Sequence, residues 1–482
     1  MKLSSVKKKL KNQKWWLEEC PASVFLFDNI CKAFTRGEAI TDYPTLKEML
    51  AIYKDGQVFE ITPYEGKTKN FEYFLKQELR RPGFTEKKFQ GWIKLIKTKV
   101  PKLNNAAFNG LDALNQKQLL EYAKRLIQVS SEANVYAVMI ECVDPFSEKW
   151  DNYFTKKYRN RKGFTNDAFV FFSMPRQASF LTKEKTDFLK LCLGKISMDA
   201  YLKRWHWINT NYGMSKDITK KQLAQKIKNE LLYKGKKFIS KEIQNTASYQ
   251  KRLIEQKRQM VSTLKPDKKD KIVFKLLEIF GYFIDIRKES MIRYTYGRDK
   301  LLMEIAARYK LPLQTLRNMR DKEVLGYLSG EKVGFKEIKY RHKYFAAFYT
   351  PKNETIYHKQ KAKKLYQAYI KTLKAKILQG QVASAPEKIL EGKVSIVLDA
   401  HKDKFKPGNI LVTTMTRPEF MPLMRRAGAV ITDEGGVTCH AAIISRELGI
   451  PCIIGAKHAT KTLKNNQSVQ MNLNTGIIKL TH

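Results

Sequence analysis

A chain of 482 residues, 43% hydrophobic and 11% aromatic, holds enough apolar material for about two to four domains with buried cores, which excludes an intrinsically disordered polymer. Lys and Arg number 91 against 47 Asp and Glu, a formal charge of +44. The excess is uneven: residues 381–482 carry 13 basic against 8 acidic side chains, or +5, so +39 falls on the first 380.

From the N-terminus, MKLSSVKKKLKNQKWW is basic but lacks the apolar core of a signal peptide. QVFEIT (57–62) has strand composition, and NQKQLLEYAKRLIQV (115–129) has helical spacing. VYAVMI (135–140) is β-branched and apolar enough to be expected as a strand, and a helix is expected over 182–193. RWHWINTNYGMSK (204–216) reads as tryptophans packed into a core with His206 satisfied, with a pocket lining as the competing reading. In DITKKQLAQKIKNELLY, Thr219 and Gln222 fit a capping box ahead of an apolar face of Leu223, Ile227 and Leu231.

LKPDKKDK (264–271) reads as an exposed loop, followed by helices over 271–287 and 297–309 and another after Pro312. KIVFKLLEIFGYFIDI (271–286) comes nearest to a membrane span, but Lys275, Glu278 and Asp285 interrupt it, so no membrane partner is expected. KNETIYHKQKAKKLYQAYIKTLKAKILQG (352–380) reads as a loop and then a long basic helix. Residues 1–375 are therefore expected to form a mainly helical, basic region of one or two subdomains. Their lysines are dispersed, which favours solvated faces over a nucleic-acid-binding arm, although such charge would also gather small anionic substrates.

From about residue 376 the pattern changes. KVSIVLD, NILVTT, GAVITD, PCIIG, VQMNL and GIIKL are short apolar runs separated by turn residues. The expected fold is α+β overall, with residues 376–482 as a compact α/β (β/β/α) domain behind the helical region. Within it, GGVTCHAAIISR (435–446) joins a glycine turn, one histidine and a helix start. Gly435 and Gly436 allow a sharp exit from the GAVITD strand. Ala441 to Leu448 are mostly helix formers, and Gly449 followed by Pro451 is a stop. His440 thus falls at a helix N-terminus, where unpaired N–H groups and the helix dipole favour an anion. A neutral imidazole is a competent nucleophile toward phosphorus near pH 7, and Thr438 offers the nearest hydroxyl.

Every constrained position of G-[GA]-x-[TN]-x-H-[STA]-[STAV]-[LIVM]-[LIVM]-[STAV]-[RG] is filled from Gly435 to Arg446. The run resembles the phosphohistidine signature of the phosphoenolpyruvate (PEP)-utilising enzymes. The resemblance extends over roughly 380–480 and looks most like the swivelling domain of the PEP synthase branch. It implies a transferase in which His440 takes a phosphoryl group from ATP or PEP, with Mg, and delivers it to an acceptor. It also implies that Thr438 is the neighbouring, regulatory hydroxyl, that Thr416 faces the histidine from a neighbouring strand, and that Arg446 closes the signature. Arg446 lies six residues beyond His440, off its helical face, so a structural role competes. GQVASAPEKILEGKV departs from the family at Ser384 to Glu387, where a glycine is missing.

Other residues carry bland readings. His206, His342, His358, His401 and His458 read as surface or satisfied core residues, Thr438 equally as a capping hydroxyl, and Cys439 as small packing. Cys20, Cys31, Cys142, Cys192, Cys439 and Cys452 show neither CxxC pairing nor zinc spacing, so no metal site is expected, and a reducing cytoplasm is the expected home. No ATP-grasp pattern and no G-x-x-x-x-G-K-[ST] motif is recognisable upstream, and 42 residues follow His440, too few for a C-terminal PEP/pyruvate-binding barrel. Two expectations stand. Either the chain is a phosphotransferase or one component of it, completed by a separate ATP-grasp or PEP/pyruvate-binding protein, or it is a non-enzymatic regulatory module that senses phosphorylation.

Overall fold

Asp55 and Gly56 both take positive φ (50° and 78°), the two-residue turn that matches strand twist and folds Met49–Lys54 (β2) back on Gln57–Pro63 (β3). A computed structural model describes this and the rest of residues 1–481, apart from 13–14, 37–45, 64–66, 142, 144–147, 162–170, 173, 212, 375–377, 401–402, 417–419 and 437–438. Cys142, His401 and Thr438 lie outside the described residues. The chain divides into two units, residues 1–6 with 12–365 and residues 7–11 with 366–482.

In the first unit, β2 and β3 belong to an antiparallel sheet with Trp15–Pro21 (β1), Phe345–Tyr349 (β4) and Glu354–His358 (β5), in the order β1-β3-β2-β4-β5. QVFEIT is the expected strand. β5 corrects the loop expected at the start of 352–380; Lys359–Lys374 (α8) then forms the basic helix. β4 reaches β2 through long-range pairing, Ala51 opposite Ala347, which no local pattern announces, and β5 pairs with β4 at the sheet edge.

The helices of this unit include Val24–Arg36 (α1), which packs on β2 and β4, and Phe84–Phe108 (α2), Gln116–Glu141 (α3), Phe180–Cys192 (α4), Met198–Trp205 (α5), Lys220–Leu264 (α6) and Lys268–Tyr309 (α7). VYAVMI is not a strand. It is the last part of α3, where Leu119, Ala123, Leu126, Ala133, Ala137, Val138 and Ile140 continue one buried helical series. Burial on most sides suits β-branched residues in a helix as well as in a sheet. The two helices expected between 271 and 309 are one 42-residue helix, α7, which runs on through 288–296 with Ser290, Met291, Tyr294, Thr295 and Tyr296 buried; farther along it Arg298 and Asp299 are buried with partners. Arg298 donates to Ser130 Oγ at 3.0 Å. Asp299 accepts both guanidinium contacts of Arg317, at 2.8 Å each, and the Ser215 N–H at 2.7 Å. Partners of this kind offset the cost of taking charge out of water.

The loop expected over 264–271 shrinks to Lys265–Asp267, since Lys265 ends α6 at φ 44° and Asp267 caps α7 by accepting from the Asp270 N–H. The capping box at Thr219 and Gln222 is formed. Trp205, His206 and Trp207 are buried. His206 donates from Nε2 to Asn104 Oδ1 at 2.6 Å and stacks on Phe108, the satisfied-core reading.

The second unit holds an eight-stranded sheet in the order β6-β13-β12-β8-β9-β10-β11-β7. Its strands are Leu378–Gln379 (β6), Gln381–Ser384 (β7), Ile389–Ile396 (β8), Ile410–Thr413 (β9), Ala429–Thr432 (β10), Cys452–Ile454 (β11), Ser468–Asn472 (β12) and Ile477–Leu480 (β13). The pairs β8-β9, β9-β10 and β10-β11 are parallel, and the flanking pairs are antiparallel. The alternation of side chains explains the apolar runs. Ile410, Val412, Ala429, Ile431 and Ile453 enter one core, while Leu411, Val430, Cys452 and Ile454 enter another on the opposite face. A strand buried on both faces has no polar alternation. The whole structure is thus mixed helix and strand. Among the described residues no helix is long and apolar enough to cross a membrane.

Candidate functional site

The site lies at the carboxyl ends of the parallel strands β9 and β10. Pairing continues past both strands: the Asp433 N–H donates to the Thr413 carbonyl at 3.0 Å and the Glu434 N–H to the Thr414 carbonyl at 2.9 Å. This holds the 414–416 segment beside the 433–436 turn. Such strand ends are where parallel α/β sheets bind ligands.

Gly435 has φ 124°. A Cβ there would lie 2.7 Å from Cys439 Sγ, so only glycine lets the turn close. The Cys439 N–H donates to the Gly436 carbonyl at 2.8 Å, and Cys439 then starts the helix His440–Leu448 (α9) as its extended N-cap residue, with no side-chain cap. Ala441 and Ala442 bury α9 on the second core of the sheet, and Gly449 at φ 64° ends it. His440 therefore occupies the first helical position, half-buried, with first-turn backbone N–H groups that have no acceptor within the helix.

Thr416 is buried, and its Oγ1 lies 2.9 Å from His440 Nδ1. The structure thus brings together Thr416, Gly435, Gly436 and His440 from the expected set. Arg446 is elsewhere. Six residues along α9 place it roughly 9 Å farther along the axis and about 120° around it from His440, and its Nε donates to the Ala383 carbonyl of β7 at 2.9 Å. Thr438 was expected beside His440 and lies outside the described residues.

One brace was not anticipated. Asp433 accepts from the Thr460 N–H at 2.9 Å and from Thr460 Oγ1 at 2.5 Å, tying the turn before the glycines to the chain after β11. Burial raises the Asp433 carboxyl above its usual range, and the Thr460 hydrogen bonds act in the opposite direction. Twenty-seven residues separate the pair, so no local pattern reveals it. Gly455, at φ 63°, lets the same segment pass close to the Gly435 carbonyl, only 3.2 Å from where a Cβ would stand. Burial also raises the Cys452 thiol to about 12, which keeps it an inert packing group. Among the described residues no group of three or more His, Cys, Asp or Glu side chains is placed to hold a metal ion.

Residues 405–476, which contain this strand-turn-helix unit and His440, match the family model described as PEP-utilising enzyme, mobile domain. The chain carries a domain of the PEP-utilising enzyme family. Within that family it is similar to PEP synthase. It is 56% identical over 86 residues to a probable phosphoenolpyruvate synthase of Methanothermobacter thermautotrophicus, covering 18% of this chain and 13% of that one. To the phosphoenolpyruvate synthase of Pyrococcus furiosus it is 55% identical over 86 residues, 18% of this chain and 10% of that one. The chain thus spans about a tenth of the length of the curated relatives it matches. Thermococcus kodakaraensis aconitase X (holo-form) overlaps 22% of this chain and 100% of its own at 16% identity and a TM-score of 0.19.

Proposed function

We propose that this protein is a phosphotransferase, or one component of one, in which His440 carries a phosphoryl group between a donor and an acceptor. The observation that carries the reading is the contact between Thr416 Oγ1 and His440 Nδ1 at a helix N-terminus, within a segment that matches a mobile domain of the PEP-utilising enzymes.

The contact supports a definite order of protons and electrons. With Nδ1–H donating to Thr416 Oγ1, the ring lone pair stands on Nε2. Nε2 attacks the phosphorus of a phosphoric anhydride or enol phosphate. The P–O bond breaks, and its electron pair leaves on the departing oxygen. In the second step an acceptor oxygen attacks phosphorus and the P–N pair returns to Nε2, while Nδ1 keeps its proton on Thr416. N–H groups of the first turn of α9 and of the glycine turn supply donors for the phosphoryl oxygens, and the helix dipole favours their charge.

ATP or PEP is the donor class that the family resemblance implies. Magnesium accompanying such a donor finds no ligand cluster among the described residues, so it is assigned none in this chain. In the full proposal, residues 376–482 form the compact β/β/α unit that moves with the phosphohistidine, and Thr438 and Arg446 complement His440. A separate ATP-grasp or PEP/pyruvate-binding protein and a small anionic substrate complete the cycle in the cytoplasm. The second reading, a regulatory module with no turnover of its own, is favoured by the short span over which the relatives match.

The test is labelling. Incubation with β- or γ-labelled ATP, or labelled PEP, with and without extract from the source cells, is expected to leave acid-labile, base-stable phosphate on the wild type and none on His440→Ala. Equal label on the alanine variant rejects the carrier role. Label on His440 that never passes to an acceptor in extract supports the regulatory reading.

A further inference from the structure

A cleft in the first unit, of about 870 Å³, is lined by residues of α2, α6 and α7 and by Phe172, Arg176 and Gln177. Two kinds of side chain meet there. Phe172 and Phe274 stack with centroids 3.8 Å apart and planes 8° apart, and Ile279 and Tyr282 of α7 extend this apolar surface while remaining only half-buried. Phe172 and Phe274 are themselves buried, so the part of this wall open to the cavity is Ile279 and Tyr282, apolar side chains of the kind that line ligand clefts.

The charges are less balanced than they look. Lys257 is almost fully buried, held by the Phe172 and Met174 carbonyls, and shares Glu278 with Arg176 at 3.2 and 2.9 Å. Lys275 sits between Glu86 and Glu78, at 2.8 and 3.2 Å, and Arg258 reaches Glu255 at 3.8 Å. Lys271, one turn before Lys275, is exposed at the cleft and has no ion partner among the described residues. Among the described residues, and with every paired carboxylate included, five cations (Arg176, Lys257, Arg258, Lys271, Lys275) stand at the cleft with four anions (Glu78, Glu86, Glu255, Glu278), so Lys271 is left without a carboxylate of its own.

We propose that this cleft binds an organic monoanion with a flat apolar body, of the aromatic carboxylate class: the body lies on Phe274, Ile279 and Tyr282, and the anionic head lies at Lys271. The volume suits a ligand of two or three fused or linked rings. The apolar wall supplies affinity, and the single unpaired cation supplies the preference for one negative charge. The proposal is independent of phosphoryl carriage by His440.

Calorimetric titration of the full chain with three probes tests it: 2-naphthoate, its neutral counterpart 2-naphthalenemethanol, and acetate. Naphthoate is expected to bind saturably, the alcohol at least about tenfold more weakly, and acetate without saturation, the difference being roughly one charge-assisted contact. Lys271→Glu, at an exposed position, is expected to weaken naphthoate at least about tenfold while leaving the alcohol unchanged. Ile279→Gln is expected to weaken both aromatic probes. Equal binding of naphthoate and the alcohol, or unchanged naphthoate affinity in Lys271→Glu, overturns the proposal. If Ile279→Gln does not fold, Lys271→Glu still decides it. Loss of His440 labelling, with naphthoate binding intact, would touch only the carrier reading.

Discussion

Thr416 Oγ1 stands 2.9 Å from His440 Nδ1 although 24 residues separate them. Neither strand end alone provides this contact; β9 delivers the hydroxyl, and the turn after β10 delivers the ring.

If that hydroxyl sets the tautomer, Thr416→Val should slow His440 labelling by about tenfold or more, equivalent to ~1.4 kcal/mol in the barrier, and Thr416→Ser should keep most of the rate. Initial labelling rates with the working donor check this. A valine variant that labels at the wild-type rate removes Thr416 from the mechanism. The shape change is small, so the accompanying stability loss should be only about 1 kcal/mol.

Gly435→Ala should destabilise the protein by about 1–3 kcal/mol, because an L side chain is strained at φ 124° and its Cβ would meet Cys439 Sγ at 2.7 Å. Adding Cys439→Ala should recover the part due to the clash and leave the part due to φ. Thermal unfolding of the single and double variants separates the two. Full recovery in the double variant would show that backbone strain contributes nothing.

Arg446→Ala should cost roughly 1 kcal/mol by removing the tether from α9 to the Ala383 carbonyl. His440 labelling should stay within about threefold of wild type, less than 1 kcal/mol in the barrier. A large loss of labelling at unchanged stability would instead assign Arg446 to the transferred phosphoryl group.

His206 predicts a pH dependence of folding. Burial lowers its pKa from the usual 6.5 to about 4, with the Leu202 carbonyl acting against that shift. The unfolded chain therefore takes up a proton near pH 6.5 that the folded chain resists until about pH 4. Stability from this group is complete above 6.5 and falls as pH drops toward 4, by about 3 kcal/mol in all. Urea midpoints from pH 7.5 to 4 should show this slope in the wild type and a flatter one in His206→Gln. An identical slope in both assigns the loss to other groups.

What could be read from the residues follows from how local each interaction is. The central strands of the second unit, β9, β10 and β11, were legible because each is buried on both faces and spells a short apolar run. The first-unit sheet was mostly hidden. Asp55-Gly56 between MLAIYK and QVFEIT is a strong local hairpin signal, and β5 folds back on β4 within a few residues, whereas β4 pairs with β2 across most of the unit and that pairing leaves no local trace. VYAVMI misled because burial on most sides erases the period that distinguishes strand from helix.

The sequence by itself determined the histidine, the glycines and the helix start, since turn, cap and helix propensity act within twelve consecutive residues. Only the tertiary structure decided that Thr416 holds His440, that Asp433 and Thr460 brace its turn, that Arg446 faces β7 instead, and that α2, α6 and α7 line a cleft at which Lys271 has no ion partner among the described residues. Those relationships depend on distances between segments far apart in the chain, which are set by the packing of strands and helices and not by any residue's neighbours in sequence.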